Sequence, residues 1–154
     1  VIRSKLGFSV VVDYAHTNDG LDKLLQSAKG LNPARVITVF GCGGDRDRTK
    51  RPLMGQVACS ISDHVIVTSD NPRTEEPMAI INDILAGIGD YAGRYDVEPD
   101  REKGIAMAIG MARDGDIVVL AGKGHEDYQI IGKTKHHFDD HEMARKYISL
   151  REGA

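Results

Sequence analysis

Four short runs of β-branched and aliphatic residues constrain this chain more than any other feature: Phe8 to Asp13 (FSVVVD), Val36 to Phe40 (VITVF), Val65 to Thr68 (VIVT) and Ile117 to Ala121 (IVVLA). Each has the length of a strand and almost no polar alternation, the pattern of strands buried on both faces. Between them the apolar period changes. Leu21, Leu24, Leu25 and Ala28 recur at helical spacing, as do Ile105, Ala108, Ile109 and Ala112. Further helices are expected from about Pro52 to Ser60, and from Pro77 through Met78, Ile81, Ile84 and Leu85 toward Gly87. Thr17, Asn18 or Asp19 caps the first helix. Tyr95 to Glu98 reads as a short strand. Tyr128 to Ile131 and Lys135 to Phe138 read as a hairpin turning at Gly132-Lys133-Thr134, and Asp140 to Arg151 as a terminal helix. Strands alternating with helices imply an α/β fold, an open and mainly parallel sheet with helices on both faces, made mixed by the hairpin. No repeat, low-complexity tract or internal linker interrupts residues 1–154, so a single domain is expected.

The charge balance, 20 Lys plus Arg against 23 Asp plus Glu for a formal net of -3, gives no bulk basic field for nucleic acid or an anionic membrane. Binding must come from local clusters. Cys42 and Cys59 are too few for a disulfide framework or a zinc site, which points to a reducing compartment. No apolar run approaches the roughly 18 residues of a membrane span and no signal-like N-terminus is present, so a cytoplasmic protein is expected. A chain that begins at Val1 also reads as a fragment of something longer.

Four polar clusters each follow directly on a strand: DYAHTND after the first, GCGGDRDRTK after the second, SDNPR after the third and AGKGHED after the last long one. In open α/β sheets the carboxyl ends of the strands line one crevice, so loops distant in sequence meet there. That crevice gathers Arg46, Arg48, Arg73 and Lys123 with Asp13, Asp45, Asp47, Asp70, Glu126 and Asp127. Mixed signs suit a zwitterionic ligand, because an arginine fork matches a carboxylate and paired carboxylates suit an ammonium. Asn71-Pro72 is conformationally restricted and fixes the directions of Asp70 and Arg73. Plainer roles also exist: Asp70 and Asn71 starting a turn, Thr74 or Glu76 capping the next helix, Asp13 and His16 merely ending a strand. Arg73 is harder to dismiss in this way.

Three features resemble sites without being them. Gly132-Lys133-Thr134 looks like the tail of a phosphate-binding P-loop, but the first glycine of that motif would fall where Asp127 stands. His137 and His141 are four apart, yet no further metal ligands accompany them, so they read as solvated. Cys42 has no base partner and reads as a small filler.

VVDYAHT (Val11 to Thr17), FGCGGDRDRTKRPLMG (Phe40 to Gly55), TSDNPRTEEP (Thr68 to Pro77) and LAGKGHEDYQ (Leu120 to Gln129) together resemble the C-terminal domain of the Mur ligases. The DNPR of Asp70 to Arg73 resembles the signature of members that add meso-diaminopimelate rather than lysine. The resemblance implies a Rossmann-like domain of an ATP-dependent acid–amino-acid ligase of peptidoglycan synthesis, with ATP, Mg2+, meso-diaminopimelate and a UDP-N-acetylmuramoyl-dipeptide as partners. It implies that Arg46, Asp70, Asn71, Pro72, Arg73, Gly122 and Glu126 form the diaminopimelate site, and that Asp13, Tyr14 and His16 face the nucleotide. It further implies that N-terminal UDP-binding and central ATPase domains are missing here, and with them the catalytic residues, the magnesium site and an arginine of the preceding linker. A stand-alone module binding an amino acid or nucleotide is the alternative; a dinucleotide-dependent oxidoreductase is disfavoured because Gly41 to Gly44 lacks the G-x-G-x-x-G order.

Overall fold

In the computed structural model, which describes residues 1–154, six strands join in one sheet: β1 (Ile2–Arg3), β2 (Ser9–Asp13), β3 (Val36–Phe40), β4 (His64–Val67), β5 (Tyr95–Val97) and β6 (Ile117–Ala121), in the order β1-β2-β6-β3-β4-β5. All neighbours run parallel except β1, which pairs antiparallel with β2. The sheet is therefore mixed, but not through the hairpin. β7 (Tyr128–Ile131) and β8 (Thr134–His137) form a separate two-stranded sheet, because their backbone groups serve the loop after β4 instead.

Side chains alternate across β3 and β6 and so feed two cores. Val36 and Phe40 with Ile117, Val119 and Ala121 pack under α1 (Asn18–Lys29), α2 (Arg51–Ile61) and α3 (Pro77–Leu85). Ile37 and Val39 with Val118 and Leu120 pack under α4 (Arg101–Met111) and α5 (Asp140–Glu152). β3 and β6 are buried along their whole length, as their unbroken apolar runs require. Thr17 caps α1 through Gly20 N, and Glu76 rather than Thr74 caps α3 through Met78 N. α4 begins four residues before Ile105, where Asp100 caps it through Lys103 N.

Candidate functional site

The loops after β2, β3, β4 and β6 enclose one cavity of ≈ 340 Å³. Tyr14, His16 and Thr17 reach it from the first loop, Gly41 to Gly43 with Arg46 and Asp47 from the second. Asp70, Asn71 and Arg73 come from the third, Gly122 and Glu126 from the fourth. Of the ten residues that the resemblance assigns to the site, Asp13 and Pro72 do not line it, and of the other charges expected in the crevice Arg48, Asp45, Lys123 and the exposed Asp127 do not either. Asp13 lies in an adjoining shallower groove with Tyr14, His16 and Lys23. Pro72 is buried beneath the wall, its carbonyl so close to Gly44 that a Cβ there would sit 1.8 Å from it. Arg48 leaves the crevice to pair with Asp83 at 3.1 Å, and Asp45 accepts from the Thr74 hydroxyl at 2.7 Å.

Arg73 adopts a left-handed backbone, φ 52°, uncommon for a residue with a side chain. The hairpin pins it there. Arg73 N donates to Ile130 O at 3.0 Å and Gly132 N donates to Arg73 O at 2.6 Å, a one-residue bridge beside β7. The guanidinium gives Nη1 to Gly44 O at 3.0 Å, and its other nitrogens have no partner in the chain. Asn71, 3% exposed, turns inward: its Oδ1 accepts from Ile130 N at 2.9 Å and from Lys123 Nζ at 3.3 Å. Gln129 Nε2 donates to Asp70 O at 2.7 Å. Asn71 thus fastens the hairpin to the site, leaving only part of its amide for any ligand.

Beneath the two acids lies a fully buried cation. Lys123 Nζ stands 3.7 Å from Asp70 Oδ1 and 3.6 Å from Glu126 Oε1, and 5.4 Å from the centroid of the Tyr128 ring. Those distances neutralise charge without forming hydrogen bonds. Asp70 Oδ1 is buried with no hydrogen-bond partner, and Glu126 Oε2 accepts from the Tyr128 hydroxyl at 3.3 Å. Gly122, φ 116°, lets the chain turn out of β6 within reach of Asp70.

Two buried arginines brace the loops, and both escaped the reading from sequence. Arg51, 1% exposed, donates to Gly43 O at 3.0 Å, to Glu75 at 2.7 and 3.0 Å and to Asp83 at 3.0 Å. Its hydrogen bond to Glu75 outweighs burial and brings that carboxyl down to about 2. Arg101 forms a two-pronged pair with Asp140 at 2.9 and 2.7 Å, both side chains fully buried. It also donates to Ser69 O at 3.0 Å and Ala121 O at 3.2 Å, tying the ends of β4 and β6 together. Burial opposes its charge, yet Asp140 prevails and its pKa is raised.

In the groove by α1, Asp13 Oδ1 accepts from Ala15 N at 3.0 Å, while Tyr14 is 53% exposed and meets the His16 ring edge-on at 4.7 Å. Cys42 Sγ lies 3.6 Å from Met54 Sδ, and burial pushes its thiol up to about 12, far from a nucleophile. His137 and His141 part ways: His137 pairs with Glu142 at 2.8 Å, and His141 stacks on His125 at 5.3 Å. No helix is long and apolar enough to cross a membrane.

Comparison with known proteins gives this arrangement a lineage. A protein-family model described as Mur ligase, glutamate ligase domain, matches residues 1–124. The UDP-N-acetylmuramoyl-L-alanyl-D-glutamate–2,6-diaminopimelate ligase of Clostridioides difficile strain 630 is 57% identical over 143 residues, 93% of this chain and 30% of that protein. The enzyme of that name from Gloeobacter violaceus is 59% identical over 143 residues, 93% of this chain and 29% of its own length. A solved structure of a ligase of the same name superposes with a TM-score of 0.93 at 46% identity, covering 99% of this chain and 31% of that one. E. coli FolC in complex with ADP, at 18% identity and a TM-score of 0.56 over 94% of this chain and 30% of its own, shares the fold alone. The chain thus spans about 30% of the length of the curated relatives it matches, and it belongs to the Mur ligase family as a glutamate ligase domain.

Proposed function

We propose that this chain is the C-terminal domain of a three-domain cytoplasmic ligase that joins meso-diaminopimelate to UDP-N-acetylmuramoyl-L-alanyl-D-glutamate in peptidoglycan synthesis. The observation that carries this reading is the meeting of Arg73 with Asp70 and Glu126 around one cavity. The far end of diaminopimelate is itself an amino acid, with a carboxylate and an ammonium on one carbon. Arg73 offers the former a guanidinium with free nitrogens, and Asp70 and Glu126 offer the latter acceptors. Arg46 is exposed at the rim, placed to hold the near end of the amino acid, and Gly122 lets its backbone come close.

Asp13, Tyr14 and His16 would hold the nucleotide along the groove by α1, where a carboxylate, an exposed aromatic ring and Lys23 suit ribose, base and phosphates. ATP, bound mainly with its Mg2+ by a preceding central domain, supplies the phosphoryl group that activates the dipeptide's terminal carboxylate. This domain orients the incoming amine toward that carboxylate and shields it from water as the domains close. It is silent alone.

Lysine lacks the second carboxylate and would leave Arg73 desolvated and unpaired. Sites built around such a polar partner reject the analogue by about 10⁴–10⁵. In the full-length ligase, Arg73→Ala is expected to raise the KM for diaminopimelate at least about tenfold, the loss of one charge-assisted contact, with the KM for ATP nearly unchanged. A KM equal to that of the unmodified enzyme contradicts the assignment.

A further inference from the structure

The cation beneath the acids has no part in the reading above, and its placement is unusual. Lys123 is 0% exposed, and burying an ammonium is costly unless it is compensated. Its compensation comes from the two carboxylates that face the ligand, at 3.7 and 3.6 Å, and from Asn71 Oδ1. Nearby charges cancel elsewhere: Arg101 with Asp140, and Arg51 together with Arg48 against Glu75 and Asp83. Arg46, Asp47 and Lys50 are exposed, so water and salt screen them. The charges left to meet a ligand inside are Arg73 and Lys123 against Asp70 and Glu126, two of each sign.

We propose that Lys123 is a specificity-determining residue that holds this inner set at zero net charge, so that the cavity accepts a zwitterionic end and refuses a purely cationic one. The inference rests on reading the cavity as the seat of diaminopimelate's far end. A neutral set has no net charge to offset the burial of lysine's lone ε-ammonium, whereas diaminopimelate's ammonium and carboxylate match it sign for sign. Lys123 stands beyond hydrogen-bond distance of both acids, so it balances their charge without taking up their acceptor positions. Without Lys123 the set would carry one negative charge, which a lone ammonium satisfies.

The test is the ratio of kcat/KM for meso-diaminopimelate to that for L-lysine, measured in the full-length ligase. Lys123→Met should lower this ratio about tenfold or more, the scale of one charge-assisted contact. Lys123→Arg, which keeps the charge, should hold the ratio near the parent value even where both rates fall. The double variant Lys123→Met with Asp70→Asn returns the set to zero and should again favour diaminopimelate. A merely structural role for Lys123 would scale both substrates together, and an unchanged ratio in Lys123→Met overturns the proposal. Should that variant fail to melt cooperatively, lysine preference in either of the two charge-balanced variants overturns it instead. Arg73→Ala separates the two readings. If it leaves the ratio unchanged, the cavity is not the far-end site; if it collapses the ratio while Lys123→Met does not, only the role of Lys123 fails.

Discussion

Removing the carboxylate of Asp140 should be among the most damaging single changes available to this chain. Arg101 and Asp140 are both 0% exposed at their side chains, joined by bonds of 2.9 and 2.7 Å. In Asp140→Ala the guanidinium keeps the carbonyls of Ser69 and Ala121 but loses the only carboxylate bonded to it. Stranding one member of a buried pair costs about 3–5 kcal/mol, against roughly 5–15 kcal/mol for a whole domain. For this chain length each kcal/mol moves Tm by about 2–4 °C, so a drop of roughly 6–20 °C is expected in thermal melts followed by circular dichroism. Arg101→Met with Asp140→Leu should recover much of it, since an apolar pair strands no charge; recovery stays incomplete because the two carbonyls lose their donor. A loss below about 1 kcal/mol for Asp140→Ala would mean that water reaches the pair, and the strand-end brace would have to be abandoned.

Two further outcomes follow from the loops. Arg51 holds Glu75 at about 2, below its ordinary 4.5, so this carboxylate contributes stability that is present above about 4.5 and drains as pH falls toward 2. Urea midpoints taken between those limits should fall less steeply with acid in Arg51→Met than in the parent; equal slopes would contradict the clamp. Gly44→Ala places a Cβ 1.8 Å from Pro72 O and should cost about 1–3 kcal/mol in denaturant melts by forcing the second and third loops apart, and a neutral result would refute their contact.

The sheet was legible because parallel strands covered on both faces leave an unmistakable record: VITVF and IVVLA are β3 and β6 residue for residue. Gathering four polar loops at one rim followed from topology alone, but of the ten charges expected there only Arg46, Asp47, Asp70, Arg73 and Glu126 line the cavity, whereas eight of the ten residues that the resemblance assigned do. What periodicity missed were charges in phase with apolar stripes. Arg51 lies on the buried face of α2 with Met54, Gly55, Ala58 and Cys59, and Arg101 on that of α4 with Gly104, Ile105, Ala108 and Ile109. An arginine one turn before such a stripe is a detectable signal, but its partners, Glu75 and Asp140, are fixed only by the tertiary fold. The hairpin was read correctly as a hairpin and wrongly as part of the sheet. Its bonds to Asn71 and Arg73 depend on a left-handed residue that local sequence does not announce. Lys123 stood in plain view among the crevice charges; burial beneath both acids, invisible in one dimension, gives it a role.

The most direct measurement is a crystal structure of the full-length ligase with meso-diaminopimelate bound. The far carboxylate is expected on the Arg73 guanidinium and the far ammonium between Asp70 and Glu126, above Lys123. An amino acid bound with that end turned away, or seated outside the cavity between the four loops, would contradict that placement.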